Sequence, residues 1–188
     1  MFGFPASFAR LAAAVLVLAA CAPPRPAAAP GPAAGWVGTW GTAPQLTEPA
    51  NMPPAPGLSG NTLRQVVRVS VGGERLRARF SNEFGTAPLT IEAARVAASG
   101  GEGAIDPATD RALTFGGAAA VTIPPGGEAG SDPFAFPLPP LSPVAITLRF
   151  GQVPADLTGH PGSRTTSYLQ PGEAAAGADL SGAVPSHH

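Results

Sequence analysis

The chain has 188 residues and a formal net charge of −1, which is enough for a leader and one domain of ordinary size. All eleven basic residues are arginine and none of them forms a basic run, which argues against a nucleic-acid-binding protein. Glycine and proline number 24 each, and they separate short apolar segments that are typical of β-strands.

The first 20 residues predict an export signal. A single basic residue, Arg10, precedes an apolar run that is too short to span a bilayer. The run ends in Leu-Ala-Ala-Cys, which resembles the signal of bacterial lipoproteins and implies a lipid on Cys21, the only cysteine. Ala22 favours an outer-membrane or surface location. The alternative is an ordinary signal peptide cleaved elsewhere, which would make the protein periplasmic or secreted.

Residues 21–35 predict an extended tether, because residues 22–34 hold five prolines and show no apolar periodicity. We expect one folded domain over residues 36–172. The last stretch, residues 173–188, is predicted to be a loose tail.

Residues 63–81 predict a β-hairpin around a two-residue turn at Gly72-Gly73. In that register one face is apolar. The other face places Arg68 opposite Arg77, with Arg64 and Arg79 close by, and like charges opposed in a sheet are destabilising. We therefore expect an acidic or polar partner to cover these arginines, unless Glu92 or another acid of this chain neutralises them.

The remaining segments predict further short strands. Residues 88–98 change the parity of their apolar positions, which indicates a bulge near Ala94. Residues 131–138 carry two prolines and predict an edge or bulged strand, whereas residues 144–150 alternate regularly. The sequence thus predicts an all-β fold, an antiparallel β-sandwich of jelly-roll type with about eight to ten short strands.

The residues themselves indicate no catalytic or cofactor site. Ser131, Asp132 and His160 could be drawn as a triad, but no nucleophile elbow supports it, and we interpret Ser131-Asp132-Pro133 as a turn. The histidines and the single cysteine show no zinc spacing, and the loop of Asp106 and Asp110 is interpreted as a solvated turn rather than a calcium site. We expect no metal and no cofactor.

Several blocks in order resemble the N-terminal region of secreted bacterial SGNH/GDSL ester hydrolases, and together they cover nearly the whole mature chain. They are WVGTWGTAPQ from Trp36, TLRQ from Thr62, VGG from Val71, LRARFSNEFG from Leu76, Ser131-Asp132-Pro133, and HPGSRTTSY from His160.

The resemblance implies a non-catalytic β-sandwich domain of a lipid-anchored SGNH/GDSL esterase, which docks and frames a hydrolase domain. The Gly-Asp-Ser-Leu and Asp-x-x-His blocks of the family's catalytic domain do not occur in this sequence. We therefore expect that this chain alone does not hydrolyse esters. Arg64, Arg68, Arg77 and Arg79 are the candidates for docking that domain.

Asn82, Glu83 and His160 are further candidates, for the rim of the neighbouring active site. Each also has a structural interpretation. Asn82 can bond its own turn, Gly85 can adopt positive φ while Phe84 folds back onto the core, and His160 can be hydrogen-bonded within its loop.

A second hypothesis is a free-standing carbohydrate-binding surface lipoprotein. Trp36 and Trp40 would share one face of an extended strand and, with Tyr168, could stack on sugars. Their burial in the core is the simpler interpretation.

Overall fold

The computed structural model describes residues 35–180 and 182–186. The chain divides into two units, Met1–Val37 and Gly38–His188. Within the first unit the described residues are 35–37, which are exposed and carry no regular secondary structure. The leader and the lipidation candidate Cys21 lie outside the described residues.

The described part of the second unit consists of β-strands and two three-residue 3-10 helices, at Pro49–Asn51 and Pro107–Thr109. Every strand pairing is antiparallel, which confirms the predicted all-β antiparallel class. The strands are β1 (Gln45–Leu46), β2 (Asn61–Arg68), β3 (Gly73–Leu76), β4 (Arg79–Asn82), β5 (Leu89–Gly101), β6 (Ala104–Ile105), β7 (Arg111–Ala112), β8 (Val121–Ile123), β9 (Gly127–Gly130), β10 (Phe134–Leu138), β11 (Pro143–Phe150), β12 (Thr158–Gly159), β13 (Ser167–Pro171) and β14 (Val184–Ser186).

Eight strands form the main sheet, in the order β14-β13-β2-β11-β5-β6, with β7 and β8 also paired to β5. Three two-stranded sheets, β10-β3, β4-β9 and β1-β12, complete the pairings among the described residues. The central position of β2 and β11 follows from their sequences, because both are runs of eight residues rich in β-branched and apolar side chains.

The core lies on one face of the main sheet. Val144, Leu148 and Phe150 of β11 are buried there, as the alternation of this segment predicts. Side chains of the small sheets pack into the same cluster, with Phe136 and Leu138 of β10 almost fully buried. The predicted edge character of β10 is also confirmed, because its pairing with β3 shifts register between Ala135 and Leu138.

The opposite face of the main sheet is covered as well. Ala145 and Thr147, which the alternation of β11 turns away from the core, are 1% and 2% exposed. We call residues 172–180 the C-terminal strap. Its Leu180 is 4% exposed, and the chain then continues into β14, which pairs with β13. Within the segment predicted to be a loose tail, Ala175 and Leu180 are therefore buried and residues 184–186 are paired with β13.

The predicted hairpin does not form. β2 pairs with β11 and β13, while β3 pairs with β10. A two-residue hairpin turn of type I′ or II′ needs positive φ at the first or at both central residues. Neither Gly72 nor Gly73 has positive φ. The two glycines instead carry the chain from the main sheet to a small one.

The predicted parity change in β5 is present, two positions earlier than expected. Arg149 of β11 lies opposite Ala93, and Phe150 lies opposite Ile91, so that Glu92 is the extra residue of a bulge. The bulge lets Ile91 and Ala94 both face the core although they are three residues apart.

Gly72 and Gly73 give a direct test of the connection that they make between the main sheet and a small one. A Cβ at Gly72 would clash with the backbone carbonyl oxygen of Leu138 and lie 3.0 Å from the Pro140 nitrogen. A Cβ at Gly73 would have its nearest contact at 3.8 Å. We expect Gly72→Ala to lower the free energy of unfolding by about 1–3 kcal/mol, and Gly73→Ala to change it by less than about 0.5 kcal/mol. Urea denaturation measures both, and equal losses would support a hairpin turn instead.

Candidate functional site

The four candidate arginines do not form one surface. Arg64, in the middle of β2, is 0% exposed. Its Nε donates to Thr147 Oγ1 at 2.8 Å, and its two terminal nitrogens donate to the carbonyl oxygens of Gly103 and Gly177, each at 2.6 Å. Gly177 belongs to the C-terminal strap, so this arginine is covered by its own chain and cannot meet a partner.

Burial lowers the pKa of Arg64, and the negative charges of Asp110 and Asp179 partly offset that effect. The three atoms that accept its hydrogen bonds are neutral oxygens. A buried guanidinium is tolerated only when its donors are satisfied. The strap and the β5-β6 turn that contains Gly103 are thus needed to hold Arg64.

The other three arginines are exposed, and Arg68 belongs to a different sheet from Arg79. Arg68 ends β2 with Pro143 as its cross-strand partner, so the predicted pair with Arg77 does not exist. Arg77 is exposed between β3 and β4, and Arg79 of β4 forms an exposed salt bridge with Glu128 of β9. The predicted register that opposed Arg68 and Arg77 is therefore wrong, because β2 and β3 belong to different sheets.

Acids of this chain also pair with two other arginines of the main sheet. Arg149 contacts Glu92 at 3.7 Å and Glu173 of the strap at 3.3 Å. Arg95 forms a salt bridge with Asp110 at 2.7 Å. Glu92, the acid named from the sequence, thus contacts Arg149 and not one of the four candidates, among which Arg79 has the acidic partner Glu128.

Asn82 is a structural residue. Its side chain is 1% exposed and its Nδ2 donates to the carbonyl oxygens of Ala87, Ile123 and Pro124. A Cβ at Gly85 would clash with the Asn82 side chain. The need for glycine there is this close approach and not positive φ, since Gly85 has none. Asn82 has no free group to offer at a rim.

The next two residues are exposed. Glu83 points outward beside Phe84, which is 37% exposed, so the prediction that Phe84 folds back onto the core is wrong. The backbone amide of Phe84 donates to Thr158 Oγ1 at 2.9 Å, which holds this turn against β12.

β12 pairs with β1, and His160 follows it directly in the chain. His160 Nδ1 lies 3.1 Å from the Ala43 carbonyl oxygen, which confirms the hydrogen-bonded loop histidine. Leu46 of β1 is the cross-strand partner of Thr158 and is 49% exposed. We call the side chains of Leu46, Met52, Glu83, Phe84 and His160 the ribbon surface. The structure thus brings Glu83 and His160 into one region and leaves the arginines out of it.

The apolar side chains of the ribbon surface are large and yet exposed to solvent. Met52 is 38% exposed and lines a cavity of about 200 Å³ together with Leu58, Val153 and Leu157. Pockets that enclose a small organic ligand are usually larger, about 300–1,000 Å³. The sequence did not mark these apolar residues, because they stand in turns and two-residue strands where no periodicity can develop.

The aromatic candidates differ in exposure. Trp36 and Trp40 are 47% and 48% exposed, in different units of the chain. The prediction that both are buried in the core is therefore wrong. Tyr168 is half-buried, and a Cβ at Gly103 would lie 2.9 Å from its ring, so the glycine is needed where the ring packs. Tyr168 thus packs within the fold beside Arg64, its cross-strand partner.

Ser131 and Asp132 do not belong to a triad. Ser131 is 7% exposed and its hydroxyl accepts from the Ala78 amide. The carboxylate of Asp132 accepts from Thr114 Oγ1 at 2.6 Å and from the amides of Gly116 and Gly117. Asp132 therefore clamps the loop between β7 and β8, and Ser131 holds the segment between β3 and β4.

Within residues 35–180 and 182–186, no group of three or more His, Cys, Asp or Glu side chains could hold a metal ion. Asp106 caps the second 3-10 helix by accepting from the Ala108 amide, as a turn residue would. No helix among the described residues is long and apolar enough to cross a membrane.

Comparisons with known proteins add no family assignment. No model of a known protein family matches the chain, and no curated protein sequence matches it either.

Arg64 gives the first prediction for this region. Arg64→Ala would leave two carbonyl oxygens and one hydroxyl without partners, each worth about 1–3 kcal/mol when buried. We expect it to lower the free energy of unfolding by about 3 kcal/mol or more. The exposed Arg68→Ala is the matched control and should change it by less than about 0.5 kcal/mol. Urea denaturation measures the free energy of unfolding of both variants. An Arg64→Ala variant with the stability of the wild type would contradict the buried network.

The Asp132 clamp gives a pH-dependent prediction. The hydrogen bond from Thr114 and then that from the Gly117 amide lower the pKa of Asp132. A lowered folded-state pKa stabilises the fold above the unfolded value of about 3.9 and loses this effect as pH falls through the folded-state value. Asp132→Asn should therefore melt below the wild type at pH 7, and the gap should narrow at pH 3. A gap that is constant with pH would refute the charged clamp.

Proposed function

We propose that this chain is a non-catalytic accessory domain of a lipid-anchored SGNH/GDSL-type esterase, with a β-sandwich of jelly-roll type that docks and frames a hydrolase domain. The family is proposed from the resemblance of the sequence blocks between Trp36 and Tyr168. The arrangement of core residues supports the sandwich, because β10 and its partner β3 pack into the same hydrophobic cluster as the main sheet.

The observation that carries the docking role is the exposed apolar side chains of the ribbon surface. Leu46, Met52 and Phe84 are 49%, 38% and 37% exposed, and the segment around Thr158 holds them in place. Exposed apolar clusters bordered by polar residues are typical of protein interfaces. Arg64 is buried and cannot contribute to such an interface.

The charges around this surface define the chemistry of the partner. Glu83 stands beside Phe84, and Asp156 is exposed where its Oδ2 accepts from Thr86 Oγ1. A hydrolase domain that fits would therefore present apolar side chains with basic residues at its rim. This replaces the acidic partner surface expected from the arginines.

The second candidate is a free-standing carbohydrate-binding surface lipoprotein. The exposure of Trp40, 48%, supports it, because a stacking residue must be accessible. Tyr168 does not support it, since its ring is half-buried. A tryptophan fluorescence change on adding an acetylated oligosaccharide, abolished by Trp40→Ala, would favour this candidate.

Docking is tested with a hydrolase domain from a full-length SGNH/GDSL protein that carries the same N-terminal blocks, expressed without them. We expect this chain to bind that domain. Phe84→Asp should weaken binding tenfold or more, as for a central interface residue. Val184→Asp is the control, because Val184 is 38% exposed and its strand β14 belongs to the main sheet, whereas β12 belongs to a separate two-stranded sheet. Calorimetry or surface plasmon resonance measures both.

Two outcomes would contradict the proposal. One is the absence of binding by the wild-type chain, and the other is equal loss in both variants. Hydrolysis of a p-nitrophenyl ester by the chain alone, at a rate above a boiled sample, would also refute the non-catalytic assignment.

A further inference from the structure

A second exposed apolar cluster lies where the chain enters the folded unit. Thr39 fastens this entry, because its carbonyl oxygen accepts from the Ser70 amide at 2.8 Å and its hydroxyl bonds the backbone of Val71. Trp40 follows directly and is 48% exposed, and Val71 is 42% exposed. These bonds place the entry segment beside Ser70 and Val71, which follow β2 in the chain.

The turn between β10 and β11 joins the same cluster. The Val69 amide donates to the Ser142 carbonyl oxygen at 3.1 Å, and the position of Gly72 is packed against Leu138 and Pro140. Leu141 stands at the end of this turn and is 61% exposed. We call Trp40, Val71 and Leu141 the apolar tip.

The backbone of Leu141 is unusual for its residue type. Its φ is 58°, a left-handed conformation that a bulky residue rarely adopts, and it follows Pro140. In type II turns the residue after the proline has positive φ and is normally glycine or asparagine. A leucine here costs backbone strain and gives no side-chain burial to the fold. Folding alone therefore does not explain why a leucine stands at this position.

A basic residue borders the tip. Arg68 is exposed at the end of β2, and its cross-strand partner is Pro143, two residues after Leu141. An apolar tip with a tryptophan and a flanking arginine is the composition that favours the interface of an anionic bilayer.

We propose that the apolar tip is a lipid-contacting surface, which inserts Leu141, Val71 and Trp40 into the interfacial region of the membrane. The tip lies at the end of the tether, since Thr39 is 18 residues after the predicted lipidation site Cys21. A tether of this length, extended at about 3.1 Å per residue, keeps the entry point within reach of the bilayer that holds the anchor. An acyl anchor commonly needs a second membrane contact for stable attachment. The proposal rests on the lipid anchor and is independent of the docking function.

The test uses the full chain, purified from bacterial membranes, in a Trp36→Phe background that leaves Trp40 as the single tryptophan. It is reconstituted in vesicles of phosphatidylethanolamine and phosphatidylglycerol at 3:1, with and without brominated acyl chains. We expect the brominated lipid to quench at least a third of the Trp40 fluorescence. Leu141→Gly, which suits the positive φ and should keep the fold, and Val71→Ser should each reduce this quenching by half or more.

Val184→Ser is the matched control. Val184 pairs with Leu169, which in turn pairs with Leu63. Leu63 lies six residues before Val69 along the chain. That separation is roughly 20 Å at the usual rise per strand residue. The control should leave the quenching unchanged.

Three results would overturn the proposal. They are a membrane-bound chain whose Trp40 is not quenched, equal quenching in wild type and Leu141→Gly, and a chain that does not sediment with the vesicles. Mass spectrometry of the Cys21 peptide reports the acyl chain in the same sample, which separates loss of the anchor from loss of the tip contact.

Discussion

The burial of the Arg64 guanidinium is the constraint on which the rest of this structure depends. A charged group in the interior must have all its donors satisfied, and here the acceptors come from three separate places: β11, the turn between β5 and β6, and the C-terminal strap. Gly177 is 113 residues away from Arg64 along the chain. One side chain therefore ties the centre of the sheet to the C-terminal strap.

The strap is fixed along its length by the same face of β2. Thr62 Oγ1 donates to the Gly172 carbonyl oxygen at 2.7 Å and accepts from the Ala174 amide at 3.0 Å. The Ile105 amide donates to the Ala178 carbonyl oxygen, which connects β6 to the strap as well. The strap therefore covers the part of this face that carries Thr62 and Arg64.

The sequence predicted the parts of the fold that depend on local pattern. The alternation of β11, the edge character that prolines impose on β10, and the parity change in β5 are all present, with the bulge shifted to Glu92. The hairpin at Gly72-Gly73 failed because a Gly-Gly pair fits both a tight turn and a crossover between sheets. The competing partner of β2 was β11, whose residues lie about 80 positions later, and local pattern does not report such pairing.

The candidate site was harder to predict for a related reason. Gly103 and Gly177 hold Arg64 through backbone carbonyl oxygens, which every residue carries and which leave no mark in the sequence. Asn82 and His160 do bond backbone oxygens, but apart from Ala87 the acceptors lie in distant segments: Ile123 and Pro124 for Asn82, and Ala43 for His160. The exposure of Phe84 depends on the bond from its amide to Thr158, 74 residues away.

The most direct measurement is hydrogen exchange of the strap amides in the full chain, followed by mass spectrometry or NMR. The amides of Gly172 and Ala174 donate to Asn61 Oδ1 and Thr62 Oγ1, and the amide of Ile105 donates to Ala178. If the buried Arg64 makes the strap part of the cooperative fold, these amides exchange as slowly as those of β11. Exchange at the rate of an unstructured peptide, with β11 still protected, would contradict this view of the structure.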